Sequence, residues 1–359
     1  MASYRILVIN PGSTSTKIAI FEDITEIFRK NLQHSPEELS QFKELIDQFD
    51  FRKQIIENEL KEQSISLSSL DVIMARGGLI RPVKSGVYKI NQKMLSDLRN
   101  PSIWGRSHAS NLGAFIAKSM ADEIGVPAYI ADPVTVDEMQ DVARISGVPE
   151  IKRQSIFHAL NIRSIARKTA QKIGKSLEEC NLVAAHMGGG ISIAAIHKGR
   201  IVDDNNALLG MGPFSPQRAG SLPLHGIIDL CYSGKYSKKE LDRKLLKESG
   251  LMGYLGTDDG LKIEQKIENG NREYENIFFA MAYQISKEIG AYSTVLKGKV
   301  DAIFLTGGLA KSKYLTHWII ERTGFISPIY IFPGEGEMEA LAEAGLRVLQ
   351  KKETPKDYL

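Results

Sequence analysis

Ile6–Ile20 reads ILVINPGSTSTKIAI, and about 176 residues further on Leu182–Ile196 reads LVAAHMGGGISIAAI. Each stretch is a short apolar strand, a turn of glycine and small hydroxyl residues, and a second apolar strand. Laying one on the other pairs Gly12 with Gly188 and Asn10 with His186. Glycine lets backbone N–H groups approach an anion closely, and Ser or Thr hydroxyls add donors, so such a turn suits phosphate. One such turn joins strands in many proteins. Two, in corresponding halves of one chain, predict two related lobes that clamp a polyphosphate between them.

The rest of the chain is compatible with that reading. Its 359 residues are enough for two domains with separate cores, and 43% hydrophobic with 25% charged residues is ordinary for a soluble globular protein. The net charge of +3 has no strong clustering, which argues against a nucleic-acid partner. Cys180 and Cys231 have no metal-ligand neighbours and read as two reduced, buried thiols of a cytoplasmic protein. The apolar run after Arg5 stops at Asn10-Pro11, so no signal peptide is expected. Ile277–Leu296 carries Gln284, Lys287 and Glu288, which makes it a buried helix rather than a membrane span.

Strands alternate with helices along the chain, which predicts an α/β class. The first hairpin leads into a polar helical region, Ser35–Glu62. Strands are expected at Asp71–Met74, Ala128–Ala131, Ala302–Leu305 and Ile329–Phe332, and helices at Ala109–Ile124, Ile156–Ile173 and Met338–Leu349. A loop is expected around Pro101–Arg106, and a long one rich in proline and glycine at Asp203–Pro223, followed by three helical segments. A loop of that length inside a domain is more often functional than idle. The expected lobes are 1–150 plus 338–359, and 151–337. Glu353–Leu359 reads as a solvated tail, and Gly147 and Gly334 as hinge candidates.

Gly174-Lys175-Ser176 matches the end of a P-loop, but the position of its first glycine holds Thr169 and a helix precedes it, so that motif is absent. What remains is a set of polar residues at strand ends and turns, where chemistry concentrates in α/β folds. They are Asn10, Ser13, Ser15 and Lys17 in the first turn, and Arg76, Asp132 and His186 at strand ends. His108, Asn111 and His158 lie at helix starts, and Arg218 in the long loop. Singly each has a bland reading: Asp132 before a proline is a turn former, and Arg218 a solvated loop charge. The set is what argues for a site.

These motifs resemble a known family. INPGSTSTK, AHMGGGIS, PQRAG and LTGG, in this order along essentially the whole chain, look like the acetate and butyrate kinases of the sugar-kinase, heat-shock-ATPase and actin superfamily. ARGG at Ala75–Gly78, HASNLGA at His108–Ala114 and GEGEMEALAEAG near the end resemble the butyrate branch. The resemblance implies two ribonuclease H-like (actin-like ATPase) lobes with a nucleotide cleft between them, acting as a homo-oligomer. The implied reaction moves the ATP γ-phosphate reversibly to butyrate, giving ADP and butyryl phosphate. Acetate, propionate or isobutyrate are alternative acids. A switch ATPase and a sugar kinase with Asp132 as base are alternative activities.

By the same resemblance Ser13, Ser15, Lys17, Gly188, Gly189, Gly190, Asp259, Gly307 and Gly308 hold the nucleotide, and Arg218, His158, Asn10, Asp132, Arg76 and His186 act on the phosphoryl group. Mg²⁺ is implied near Asn10, Asp132 and Glu337, although Glu337 reads equally well as an acid favoured by a helix N-terminus. Ala75, Ser107, His108 and Phe157 are implied around the acid, with Ala75 and Ser107 standing where acetate kinases carry bulkier Val and Leu. Two motifs depart from the acetate-kinase pattern. Its catalytic arginine precedes a His-Gly-Gly by three residues, a place held here by Ile73, with Arg76 nearby. Its Asp-x-Arg appears here as Asp259-Gly260-Leu261.

Overall fold

Strand β1 (Arg5–Pro11) pairs antiparallel with β2 (Ser15–Glu22), which pairs antiparallel with β3 (Thr25–Gln33). On its other side β1 runs parallel to β4 (Val72–Arg76), and β4 parallel to β6 (Ala128–Ala131); β5 (Val87–Lys89) closes that edge antiparallel to β6. The sheet order is therefore β3-β2-β1-β4-β6-β5. A second sheet repeats the pattern as β9-β8-β7-β10-β11, built from β7 (Asn181–Met187), β8 (Ile191–His197), β9 (Arg200–Asp204), β10 (Ala302–Gly307) and β11 (Ile329–Pro333). Its β9/β8/β7 pairs are antiparallel and its β7/β10/β11 pairs parallel, as in the first sheet. The repeat read from two hairpins is thus a repeat of five strands.

The computed structural model describes residues 3–105, 107–208 and 211–359. The chain divides into two compact units, Met1–Val136 with Gly336–Leu359, and Asp137–Glu335. The sequence had suggested 150 and 337 as the divisions. In the first unit Leu7, Ile9, Ile73 and Ala75 face the helix Asn111–Ile124, and Gly345 of the helix Glu337–Leu349 packs on Ile6 and Met74, so alternation along the central strands buries both faces. In the second unit the helix Arg272–Val295 buries Phe278, Met281, Ala282, Ile285 and Ile289 on one stripe against β7 and β8. No helix among the described residues is long and apolar enough to cross a membrane.

The structure corrects several expectations. The polar region before Glu62 is two α-helices with a 3₁₀ turn between them, and the edge strand β3 precedes it. The helix expected from Ile156 begins at Ala159, leaving Phe157 and His158 in the segment that enters it. Five helices, not three, lie between Pro223 and β10 among the described residues. In the loop around Pro101–Arg106, Pro101–Ile103 is a 3₁₀ turn, and Arg106 is outside the described residues. The long loop starts after β9, and Leu209 and Gly210 within it are outside the described residues. Cys180 is buried but Cys231 is exposed. The C-terminal segment is docked rather than solvated: Tyr358 is buried, its hydroxyl donates to Asp97 Oδ2 at 2.7 Å, and Lys89 N–H donates to the Lys356 carbonyl. An aromatic ring beside a buried acceptor outweighs the charge of its neighbours.

Candidate functional site

Both units gather their polar residues at the carboxyl ends of their parallel strands. In the first unit Asn10 lies one residue from the end of β1, Arg76 ends β4, and Asp132 follows β6, in neighbouring strands of one sheet. Asn10 Nδ2 donates to Glu337 Oε2 at 2.8 Å and Arg76 Nη1 donates to the same oxygen at 2.9 Å, while Arg76 Nη1 stands 3.5 Å from Asn10 Oδ1. Arg76 is therefore brought onto Glu337, the first residue of the helix Glu337–Leu349. Glu337 keeps its helix-terminal position and also serves this polar trio.

Asp132 is buried and adopts φ +38° immediately before Pro133, a conformation that sterics disfavour for a side-chain-bearing residue. It is fixed by a reciprocal pair with Gly86: Asp132 N–H donates to the Gly86 carbonyl at 3.0 Å, and Gly86 N–H donates to Asp132 Oδ1 at 2.7 Å. Strain held by such over-determined bonding is a mark of functional positions. Asn10, Asp132 and Glu337 offer only oxygen and amide donors, two carboxylates and one carboxamide. That set suits Mg²⁺, which takes few protein ligands and completes its shell with water and phosphate oxygens.

The first turn, between paired residues Pro11 and Thr16, is closed by a hydrogen bond from Gly12 N–H to the Ser15 carbonyl at 2.7 Å. Ser13 and Thr14 are exposed, and among the described residues their backbone N–H groups donate to no protein acceptor. Lys17 faces Asn10 across the hairpin. The residues implied around the acid are less uniform. Ala75 is fully buried in the sheet core, close to Gly113 of the helix Asn111–Ile124. Ser107 is exposed, and the exposed His108 bonds through Nδ1 to Ser110 Oγ at 2.8 Å.

In the second unit the turn Gly188–Gly190 is closed by Gly188 N–H donating to the Gly190 carbonyl at 3.0 Å. The long loop folds against it. Ser215 Oγ donates to the Gly189 carbonyl at 2.7 Å, and the Arg218 guanidinium lies so close to Gly190 that a Cβ there would be 2.3 Å from Nη1. Arg218 Nη1 also donates to the Ala207 carbonyl. Bonds from Phe214 N–H to Gln284, from Gln217 to Asp258 and from Ala219 N–H to the Leu245 carbonyl pin the loop.

His158 and His186 stack with ring centroids 4.1 Å apart and 19° between planes. Asn161 Oδ1 accepts from His186 Nδ1 at 2.8 Å, its own Nδ2 donating to the Glu335 carbonyl. Ser192 Oγ accepts the His158 backbone N–H at 3.2 Å and meets His158 Nδ1 at 2.8 Å. Ser192 thus holds both the backbone and the ring of His158 in place. Phe157, beside it, is buried.

Next to the turn a cleft of about 390 Å³ is lined by Gly188, Gly189, Asp259, Gly308 and Ser312, among others. Gly307 has φ +91°, and a Cβ there would stand 2.3 Å from the Met187 carbonyl oxygen, so only glycine lets β10 meet β7 at this point. The Asp259 carboxylate caps the helix Gly260–Glu268 by accepting from Leu261 N–H at 3.0 Å. Sequence reasoning passed over Asn161, Ser192, Ser215 and Arg52. Ser192 was readable, since it faces His186 as Lys17 faces Asn10.

A family model described as the acetokinase family matches residues 149–322. Among solved structures, the chain is similar to acetate kinase from Porphyromonas gingivalis, with a TM-score of 0.79 and 18% identity over 97% of this chain and 100% of that one. It is also similar to a propionate kinase from Francisella tularensis subsp. tularensis SCHU S4, with a TM-score of 0.73 and 18% identity over 95% and 98% of the two chains. Acetate kinase from Entamoeba histolytica gives 0.76 and 17% over 96% and 100%. At these identities the likeness establishes the fold: an α/β chain of two similar ribonuclease H-like lobes.

Proposed function

We propose that this protein is a carboxylate kinase, transferring the terminal phosphoryl group of ATP reversibly to a small carboxylic acid to give ADP and an acyl phosphate, with butyrate as the preferred acid. The observation that carries the reading is the second turn, where Arg218 lies against Gly190 beside a stacked pair of anchored histidines. The match of residues 149–322 to the acetokinase model spans this turn and supports it.

A carboxylic acid of pKa about 4–5 is already ionised at neutral pH, so its oxygen attacks the γ-phosphorus without a general base. The bond from phosphorus to the ADP oxygen breaks as the bond to the carboxylate oxygen forms. The barrier is repulsion between two anions, and the protein's task is positioning and charge stabilisation. Arg218 neutralises the migrating group and steers the carboxylate. His158 donates to an equatorial oxygen of the migrating group. His186 and Asn10 act from the two hairpins, and Arg76, set by Glu337, supplies a second guanidinium. Ser13, Ser15, Lys17 and the N–H groups of both turns receive phosphates, and the cleft by Asp259 and Gly308 receives the nucleoside. Mg²⁺ would be held by Asp132, Glu337 and Asn10, and when bound it neutralises charge on the phosphate oxygens.

The acid preference rests on Ala75 and Ser107 and on the butyrate-like motifs. Assembly as a cytoplasmic homo-oligomer is part of the same reading, and the exposed Leu224, Ile228 and Tyr232 of the helix Leu224–Tyr232 offer it a surface. The test supplies ATP, Mg²⁺ and acids from acetate to valerate plus isobutyrate, and traps the product as its hydroxamate. A maximum at four carbons is expected. A maximum at acetate or propionate would keep the kinase and remove the butyrate assignment, and no hydroxamate with any acid would overturn the kinase.

A further inference from the structure

Among the described residues Arg52 is the largest fully buried side chain, at 0% exposure, and it sits on the helix Phe49–Glu62 beneath the first turn. Its guanidinium is used up on neutral acceptors. Nη1 donates to the Gly12 carbonyl at 2.8 Å, the Ser15 carbonyl at 3.2 Å and Thr16 Oγ1 at 3.1 Å. Nη2 donates to the Ser13 carbonyl at 3.1 Å and Gln48 Oε1 at 2.8 Å, and Nε donates to the same Gln48 oxygen at 3.1 Å. Among the described residues no carboxylate pairs with it, and burial lowers its pKa to about 10, which still leaves it charged at neutral pH.

Two consequences follow from elementary geometry and electrostatics. In a trans peptide the C=O of one residue and the N–H of the next point in opposite directions. Drawing the Gly12 and Ser13 carbonyls onto Arg52 therefore turns the Ser13 and Thr14 N–H groups the other way, outward. These are the two exposed amides that have no protein acceptor among the described residues. A buried cation without a counter-ion is also costly, and a bound anion nearby would offset that cost.

We propose that Arg52 is a positioning residue for the phosphate site, aiming the amides of the first turn outward and supplying from behind the positive charge that a bound phosphoryl group completes. The inference rests on the kinase reading above. It touches no substrate and acts through the backbone of Gly12–Ser15.

The test is calorimetric titration of the intact protein with ATP and separately with adenosine, for wild type, Arg52→Lys and Arg52→Met. Arg52→Met should weaken ATP binding by about tenfold or more, the worth of a charge-assisted contact, and leave adenosine within about twofold. Arg52→Lys, which keeps the charge and loses the fork, should fall between. A merely structural arginine would move both ligands together or neither. If Arg52→Met does not fold, Arg52→Lys decides alone: a loss confined to ATP supports the proposal, and equal losses or none overturn it. Wild type that binds neither ligand would overturn the kinase reading itself. Normal wild-type binding with unshifted variants would overturn this inference only.

Discussion

The turn at Gly12–Ser15 and the turn at Gly188–Gly190 occupy the same place in two copies of one sheet, and each presents backbone amides beyond the end of its central strand. They are supported by opposite means. The first carries hydroxyl side chains and rests on a buried cation, Arg52, with His34 N–H bonded to the Thr14 carbonyl at 2.9 Å. The second is bare glycine, held by the neutral Ser215 hydroxyl, and its cation, Arg218, lies alongside it. The difference teaches a division of labour. One turn keeps its charge buried behind the backbone. The other is stripped of side chains so that an arginine and two histidines can crowd close to it.

The largest expected effect breaks the second turn. Arg218→Ala should lower turnover more than about a hundredfold, the cost of removing a donor aimed at transition-state charge. Activity within threefold of wild type would end the assignment. A smaller effect sharpens the contrast within one turn. Gly190→Ala places a methyl in the space of the Arg218 guanidinium, an overpacking worth about 1–3 kcal/mol of stability, so its thermal midpoint should fall below wild type. Gly189→Ala meets nothing within 4 Å among the described residues, so its thermal midpoint should match wild type. A larger loss of stability in Gly189→Ala than in Gly190→Ala would contradict this account of the turn.

The smallest effect belongs to the first turn and appears in pH. Burial, with the Arg52 charge second, pushes His34 down to about 4, and its Nε2 bonds Thr16 Oγ1 at 2.9 Å. The unfolded histidine titrates near about 6.5, so between that value and about 4 the unfolded state binds more protons and stability falls as pH falls. Above about pH 7 the histidine contributes no pH dependence. Thermal midpoints from pH 7 to 4 should show this slope in wild type and a shallower one in His34→Gln. Equal slopes would mean that His34 is not held neutral.

Much of this was legible in sequence because the duplicated hairpin and the parallel strands are continuous apolar runs ending in glycine or polar residues. The edge strand β3 was not, since TEIFRKNLQ is wet along nearly all its length and lacks the alternation that marks a half-buried strand. Arg52 was hidden for a related reason: in FDFRKQIIENELKE it is one charge among many, and nothing local distinguishes a buried guanidinium from a solvated one. Arg76, Asp132, His158 and His186 could be singled out because they stand at element ends. Their actual partners Glu337, Gly86, Ser192 and Asn161 depend on the fold. Tyr358 was misjudged because its acceptor, Asp97, lies far away in the chain.

The central proposal is that each of two differently built turns receives phosphate. Amide resonances of nitrogen-15-labelled protein, followed with ATP and then with adenosine, test it directly. The account predicts that Ser13 and Thr14 in one turn and Gly189 and Gly190 in the other all shift with ATP and stay in place with adenosine. Shifts confined to one turn, or equal for both ligands, would contradict it.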